Sequence, residues 1–249
     1  MTAASPPGAR PVGRIVVIGG GCYGTFYAGQ LERAESRGAL VPMEVVLVDR
    51  DPACRAAREL APHPRRRLVA SDWDAFLDAW LDGRNEEPAR GGDVVVPSPL
   101  MPHLVYSWLL RRARARWRSR TVETVPLVKP VGTPYDTLAP DGTRYVSWAD
   151  WLCPTHCVEP ATCPMIRAPR TWEMSETLGS YAGRLGVLGP ALCVTRHLAY
   201  GVGVFEVAEM LAADRLVAEA GREGGAAQVL VGTVSACHGA MNLLGLHAA

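Results

Sequence analysis

Arg14-Ile-Val-Val-Ile18 runs without a break into Gly19-Gly20-Gly21-Cys22-Tyr23-Gly24, and this junction decides the fold. A short β-branched apolar run reads as a strand covered on both faces. The glycines satisfy G-x-G-x-x-G, and a helical pattern continues from Cys22 to about Arg37. Met43-Glu-Val-Val-Leu-Val48 supplies a second apolar strand, ending at Asp49. Each part has a physical task. Gly19 permits the tight turn, Gly21 lets backbone approach a pyrophosphate, and Gly24 lets helix and strand pack closely. The helix start at Cys22 offers free N–H groups and a positive dipole to phosphate. Asp49 is placed to accept from a ribose 2′-hydroxyl and to repel a 2′-phosphate, which favours NAD over NADP. Arg50, beside it, pulls the other way.

Outward from this unit the pattern repeats. Leu68-Val-Ala70 reads as a third strand, Trp73 to Leu81 as a helix, and Asp93-Val-Val-Val-Pro97 as a fourth strand. A helix from about Met101 to Arg118 and a fifth strand over Thr121 to Val128 follow. Strands alternating with helices at this spacing predict a parallel sheet of βαβ units. Ile15-Val-Val-Ile-Gly-Gly-Gly-Cys-Tyr-Gly24 with Val46-Leu-Val-Asp49 resembles the Rossmann superfamily of NAD(P)- and FAD-binding proteins. Leu68-Val-Ala-Ser-Asp72, a helix and Asp93-Val-Val-Val96 are similar to the NAD-binding domains of potassium-uptake regulators. The resemblance covers roughly the first half of the chain. It implies a dinucleotide at Gly19, Gly21, Gly24 and Asp49, with Cys22 in the turn, and no particular reaction. FAD is disfavoured, because flavoprotein reductases need a longer chain.

The expected organisation is a disordered tail over 1–13, a Rossmann-like domain over 14–128, and a cysteine-rich loop with a smaller C-terminal α+β part over 129–249. In open α/β sheets ligands lie outside the carboxyl ends of the strands. That places the Pro97–His103 loop near the crevice, with Ser98 and His103 its side chains of obvious chemistry. The Arg111–Arg120 stretch holds six arginines. They spread around the helix instead of forming one stripe, which predicts a solvated helix end and disfavours nucleic acid.

Cys153-Pro-Thr-His-Cys157-Val-Glu-Pro-Ala-Thr-Cys163-Pro is the least ordinary stretch of the second half. Its C-x3-C-x5-C spacing is neither the common C-x2-C zinc knuckle nor the ferredoxin pattern. Three thiolates need a fourth ligand, for zinc or for an iron–sulfur cluster. His156, Cys237 and His238 are the candidates. Cys237 or His238 is preferred, since adjacent His156 and Cys157 would strain one tetrahedron. A redox loop and plain buried thiols are the competing readings. Cys54 and Cys193 read as incidental or core residues.

The net charge of +1 over 249 residues points to no polyanionic partner. No run approaches the roughly 18 apolar residues of a membrane span. The start of the chain lacks a signal-peptide core, so a cytoplasmic protein with reduced thiols is expected. These features together predict an NAD-dependent oxidoreductase carrying a metal or iron–sulfur site, with a small-molecule substrate or redox partner and self-association allowed. His103, His197 or His238 would handle the proton. A non-catalytic nucleotide or metal sensor is one alternative class. A methyltransferase is another, because S-adenosylmethionine also binds beside a glycine turn and an acidic strand end.

Overall fold

The computed structural model describes residues 10–82, 92–99, 101, 103–154 and 157–249. In chain order β1 (Arg10–Ile18), α1 (Cys22–Ser36), β2 (Leu40–Asp49), α2 (Arg55–Glu59), β3 (Arg66–Ala70), α3 (Trp73–Leu81) and β4 (Val94–Val96) come first. Next come α4 (Leu104–Arg116), β5 (Val122–Val125), β6 (Tyr135–Leu138), β7 (Arg144–Ser147), β8 (Thr162–Cys163), β9 (Ala168–Pro169), α5 (Met174–Leu185) and β10 (Leu188–Val194). Then follow β11 (Arg196–Ala199), β12 (Val202–Glu206), α6 (Val207–Ala220), β13 (Ala227–Val234) and β14 (His238–Leu246). The fold is mixed α/β and divides into two units. Unit 1 is Met1–Met101 with Arg196–Ala208, and unit 2 is Pro102–Thr195 with Glu209–Ala249.

The division differs from the one expected from sequence. Helix α4 and strand β5 lie in unit 2 and not in the first sheet, while Arg196–Ala208 returns to unit 1. The tail boundary also moves, because β1 begins at Arg10 and pairs from there with β2. Residues 1–9 of the expected tail lie outside the described residues. Arg10 is held by its own N–H bond to the Ala39 carbonyl, 3.2 Å.

Unit 1 is a six-stranded sheet in the order β11-β12-β4-β1-β2-β3. Strands β4, β1, β2 and β3 are mutually parallel, and β12 runs antiparallel to β4. Ile15 to Ile18 and Val45 to Val48 are buried consecutively, as strands covered on both faces must be. On α1 the buried residues Gly24, Ala28, Leu31 and Ala34 recur at helical spacing and turn one stripe to the core. Asp72 caps α3 by accepting the Asp74 N–H at 2.9 Å.

Unit 2 is a second sheet in the order β10-β13-β14-β7-β6, with β5 pairing β14. The expected fifth strand thus exists but pairs antiparallel with β14, Val125 opposite Leu243. Helix α5 packs Met174, Leu178, Tyr181 and Ala182 into this unit's core with Leu230, Val234 and Met241. Strands β13 and β14 form an antiparallel hairpin, whose turn carries Cys237. Strands β6 and β7 form another, around Asp141-Gly142.

The solvated reading of the arginine-rich end of α4 holds for Arg114, Arg116 and Arg118, which are exposed, but several of these arginines also have fixed partners and Arg120, beyond the helix, is buried. Arg112 and Arg116 both pair with Asp214, itself 2 % exposed, at 3.0 and 2.9 Å. Arg114 donates to the Val122 carbonyl at 2.9 Å. Arg120 is buried, donating to the carbonyls of His247, Gly221 and Gly225 at 2.7–2.9 Å. A lysine ammonium cannot bridge three carbonyls in that forked geometry. Arg120→Lys is therefore expected to cost about 2 kcal/mol, read as a lower urea midpoint at unchanged slope. Among the described residues no helix is long and apolar enough to cross a membrane.

Candidate functional site

Two places in the molecule carry organised chemistry, one in each unit. In unit 1 the turn between β1 and α1 brings Gly19, Gly21, Cys22, Gly24 and Asp49 together. Gly19 has φ +87°, a region that side-chain-bearing residues avoid. Its N–H donates to the Val48 carbonyl at 2.8 Å, tying the turn to β2. At Gly24 an added Cβ would stand 1.7 Å from the Gly19 carbonyl oxygen, so helix and turn touch only because that position is glycine. Gly21 is the opposite case: a Cβ there would meet nothing within 4 Å. It is also the N-cap of α1, with no side-chain cap and no acidic residue in the first turn. The first N–H groups of that helix therefore lack intrahelical partners.

Asp49 braces this turn from the end of β2. One carboxylate oxygen accepts the Gly20 N–H at 2.6 Å, and the other accepts the Asp51 N–H at 2.9 Å. A carboxylate has about four acceptor positions, so two remain for another donor. Arg50 turns away from Asp49. It pairs with Asp72 at 3.0 Å and lies over the Trp73 ring, 5.5 Å from its centroid. Trp73 in turn borders Gly19, at 3.8 Å from where a Cβ would stand. Cys54, read as an incidental or core residue, is in the core: it is buried, its sulfur packs where a Cβ on Gly20 would sit, and it opens α2.

The other expected residues of this site are dispersed. Ser98 follows β4, is 7 % exposed, and its carbonyl accepts the Met101 N–H at 3.0 Å. Leu100 and Pro102 of the Pro97–His103 loop lie outside the described residues. His103 precedes α4 in unit 2 without capping it through its side chain, and its Nδ1 is buried without a partner. His197 lies in β11 of unit 1, where its Nε2 accepts the Gly201 N–H at 2.9 Å and burial lowers its pKa. His238 opens β14 in unit 2 and is exposed. His197 thus belongs to unit 1, while His103 and His238 sit at the starts of different elements of unit 2.

In unit 2 the cysteines converge. Cys153, Cys157, Cys163 and Cys237 line one small cavity, with Glu159, Arg170, Trp151, Trp172 and His238 also on its wall. None is in a disulfide. Among the described residues no group of three or more His, Cys, Asp or Glu is already gathered as a metal centre, so the thiols share a wall and not yet a ligand shell. His156, the remaining candidate ligand, lies outside the described residues.

Burial raises the pKa of Cys153, and neighbouring Cys157 and Cys163 raise it further, against a hydrogen bond from the Trp151 indole N–H. Burial pushes Cys237 up to about 11, against the hydrogen bond from Trp172. The Trp172 indole N–H donates to Cys237 Sγ at 3.3 Å, and the Glu159 N–H donates to Cys157 Sγ at 3.4 Å. Glu159, at φ +51°, ties the loop to the hairpin turn. Its carboxylate accepts from Ser235 Oγ at 2.6 Å, Ala236 N at 2.7 Å and Cys237 N at 3.3 Å. No local pattern points to Glu159, whose carboxylate partners lie more than seventy residues away.

A larger cavity of about 560 Å³ also lies in unit 2, lined by Val125, Leu185, Val187, Leu246 and His247 among others. None of the expected site residues reaches it. A family model described as "Uncharacterized protein, C-terminal domain" matches residues 105–247, a span that includes all four of these cysteines. No curated protein and no solved structure matches the chain.

Proposed function

The chain belongs to that family through more than half its length, and we propose that it is an NAD(H)-binding oxidoreductase whose second unit holds a metal through cysteine. The dinucleotide reading rests on one observation. Gly19 and Gly24 are jammed against each other while Gly21, at the uncapped start of α1, faces open space. That is the local geometry a pyrophosphate requires: backbone N–H groups, a helix dipole and no side chain in the way. The parallel order β4-β1-β2-β3, with the glycine turn at the carboxyl end of β1, supports a Rossmann-like assignment.

Preference for NAD over NADP follows from Asp49 and Arg50. Asp49 keeps acceptor capacity toward a ribose, whereas Arg50, the cation beside it, is already engaged by Asp72 and Trp73. The Arg50–Trp73 pair, beyond the ends of β2 and β3, offers a flat cationic face suited to an adenine.

The test is a pair of measurements on the whole chain. NADH is expected to bind with altered fluorescence, and NADPH more weakly. Gly21→Ala has room in the fold, at an ordinary φ of −74°. At an N-cap, where alanine is poorer than glycine, it should cost no more than about 1 kcal/mol of stability, yet weaken NADH by roughly tenfold or more, since 1.4 kcal/mol is tenfold in affinity. Equal NADH binding by the variant would refute the phosphate site. Preferential S-adenosylmethionine binding would make the protein a methyltransferase candidate instead. The sensor reading is favoured by the commitment of His197 to Gly201. Saturable NADH binding without hydride transfer to any carbonyl, quinone or dye acceptor would support it over the oxidoreductase.

A further inference from the structure

The geometry points to a closed, single-ion tetrathiolate centre in unit 2, made by Cys153, Cys157, Cys163 and Cys237, of the zinc class and not a four-iron cluster. This inference rests on the reading that the cysteines hold a metal. Its first support is size. The cavity they line is about 10 Å³, roughly the space of one water-sized occupant. That space matches one ion better than an eight-atom cluster.

The second support is the wall. One buried N–H donor on it, Arg170 Nε, has no hydrogen-bond partner among the described residues. Buried donors without acceptors are costly and call for an explanation. Neutral thiols are weak acceptors, whereas thiolates are strong ones. Three further N–H groups already point at sulfur, from Trp151 to Cys153, from Trp172 to Cys237 and from Glu159 to Cys157. Donors aimed at ligand sulfurs are what orients a thiolate shell. As the ion binds, four thiols release four protons and four metal–sulfur bonds form. A divalent ion then leaves a net charge of −2, beside which the Arg170 guanidinium stands.

The third support is the loop itself. Leu152 is 93 % exposed, and Val158, Met165 and Ile166 are 40–45 % exposed, so its large apolar side chains face outward. Its regular structure is one two-residue ladder, β8 with β9. Burial does not hold this segment, and a crosslinking ion supplies what burial lacks. With four sulfur ligands the ion keeps no open position, which marks a structural centre and not a hydrolytic one. Exposed His238 is then not required as a ligand.

Glu159 is the positioning residue of the centre. Its backbone N–H reaches Cys157 and its carboxylate holds the Ser235–Cys237 turn, so it sets the three loop ligands against the fourth.

The experiment starts from anaerobically purified full-length protein, assayed for zinc, iron and acid-labile sulfide. About one zinc or one iron per chain without sulfide is the expected result. Co(II) loaded into the metal-stripped protein should show thiolate charge-transfer and tetrahedral d–d bands. Those bands should be lost in Cys153→Ser and Cys237→Ser. Glu159→Ala should weaken Zn(II) about 10- to 100-fold while Glu159→Gln recovers part of it; unchanged affinity would remove Glu159 from the centre. About four irons with sulfide would overturn the single-ion centre and leave the metal reading standing. No metal bound even after reconstitution with Zn(II) or Co(II), with all four cysteines alkylated by iodoacetamide, would overturn both.

Discussion

Asp136→Ala is expected to destabilise unit 2 by about 3–5 kcal/mol, the range seen when one partner of a buried ion pair is removed. Arg144 is 5 % exposed and pairs with Asp136 through Nη1. Its other donors are engaged by backbone, Nε to the Leu127 carbonyl at 2.8 Å and Nη2 to Val128 at 3.2 Å. The second oxygen of Asp136 accepts the N–H groups of Val131 and Gly132 at 2.7 and 3.0 Å. Alanine therefore leaves a buried guanidinium uncompensated and orphans two backbone donors at once. Asparagine keeps one acceptor oxygen in place and should cost clearly less. Urea unfolding followed by near-ultraviolet circular dichroism reads the difference. A loss below about 1 kcal/mol for the alanine variant would mean that solvent reaches Arg144 and that the pair is of the weak surface kind.

Unit 2 relies on such fixed charges to an unusual degree for a segment that reads as irregular. The stretch from Lys129 to Thr133 has no strand or helix. It is nevertheless tied by Asp136, by Tyr181 Oη donating to the Lys129 carbonyl at 2.5 Å, and by Arg184 donating to Val131 at 2.9 Å. The same logic governs the end of α4, where Asp214 gathers two arginines. From sequence these residues are charges in polar surroundings, and the ordinary expectation is a solvated face. Which charge is buried depends on partners 8 and 98–102 residues away. Local pattern carries no information about that.

Where the chain signals its own neighbours, it was legible. Consecutive β-branched residues placed β1 and β2, and the glycine spacing placed the turn between them, because each depends on residues within one βαβ unit. Strand β5 was visible as a strand but not as a partner of β14, since periodicity specifies a pleat and not the strand that pairs with it. The return of β11 and β12 to the first sheet was hidden for the same reason. The three loop cysteines were legible as a cluster, and Cys237, named from sequence as a candidate beside them, lines the same cavity wall. Glu159 was not, because its role needs a left-handed backbone and a turn brought back from the far end of unit 2.

Gly24→Val should be the most damaging single change in unit 1. The Cβ alone would lie 1.7 Å from the Gly19 oxygen and 2.8 Å from its carbonyl carbon. Both obstacles are backbone, held by Gly19 N–H to Val48 and by the β1–β2 ladder, so neither can rotate away as a side chain would. Helix α1 must lift from the sheet, which strips Ala28 and Leu31 of their packing. Overpacking of a rigid site costs about 1–3 kcal/mol and occasionally more; with backbone on both sides the expected loss is about 3 kcal/mol or above. Gly29→Ala in the same helix supplies the control. A Cβ there meets nothing within 4 Å, so helix propensity alone should raise stability by up to about 1 kcal/mol. Opposite signs at the two positions, read by urea unfolding, would show that Gly24 is set by contact with the turn and not by helix chemistry. Equal tolerance at both would mean that α1 does not rest on Gly19, and the phosphate cradle argued from that contact would fall with it.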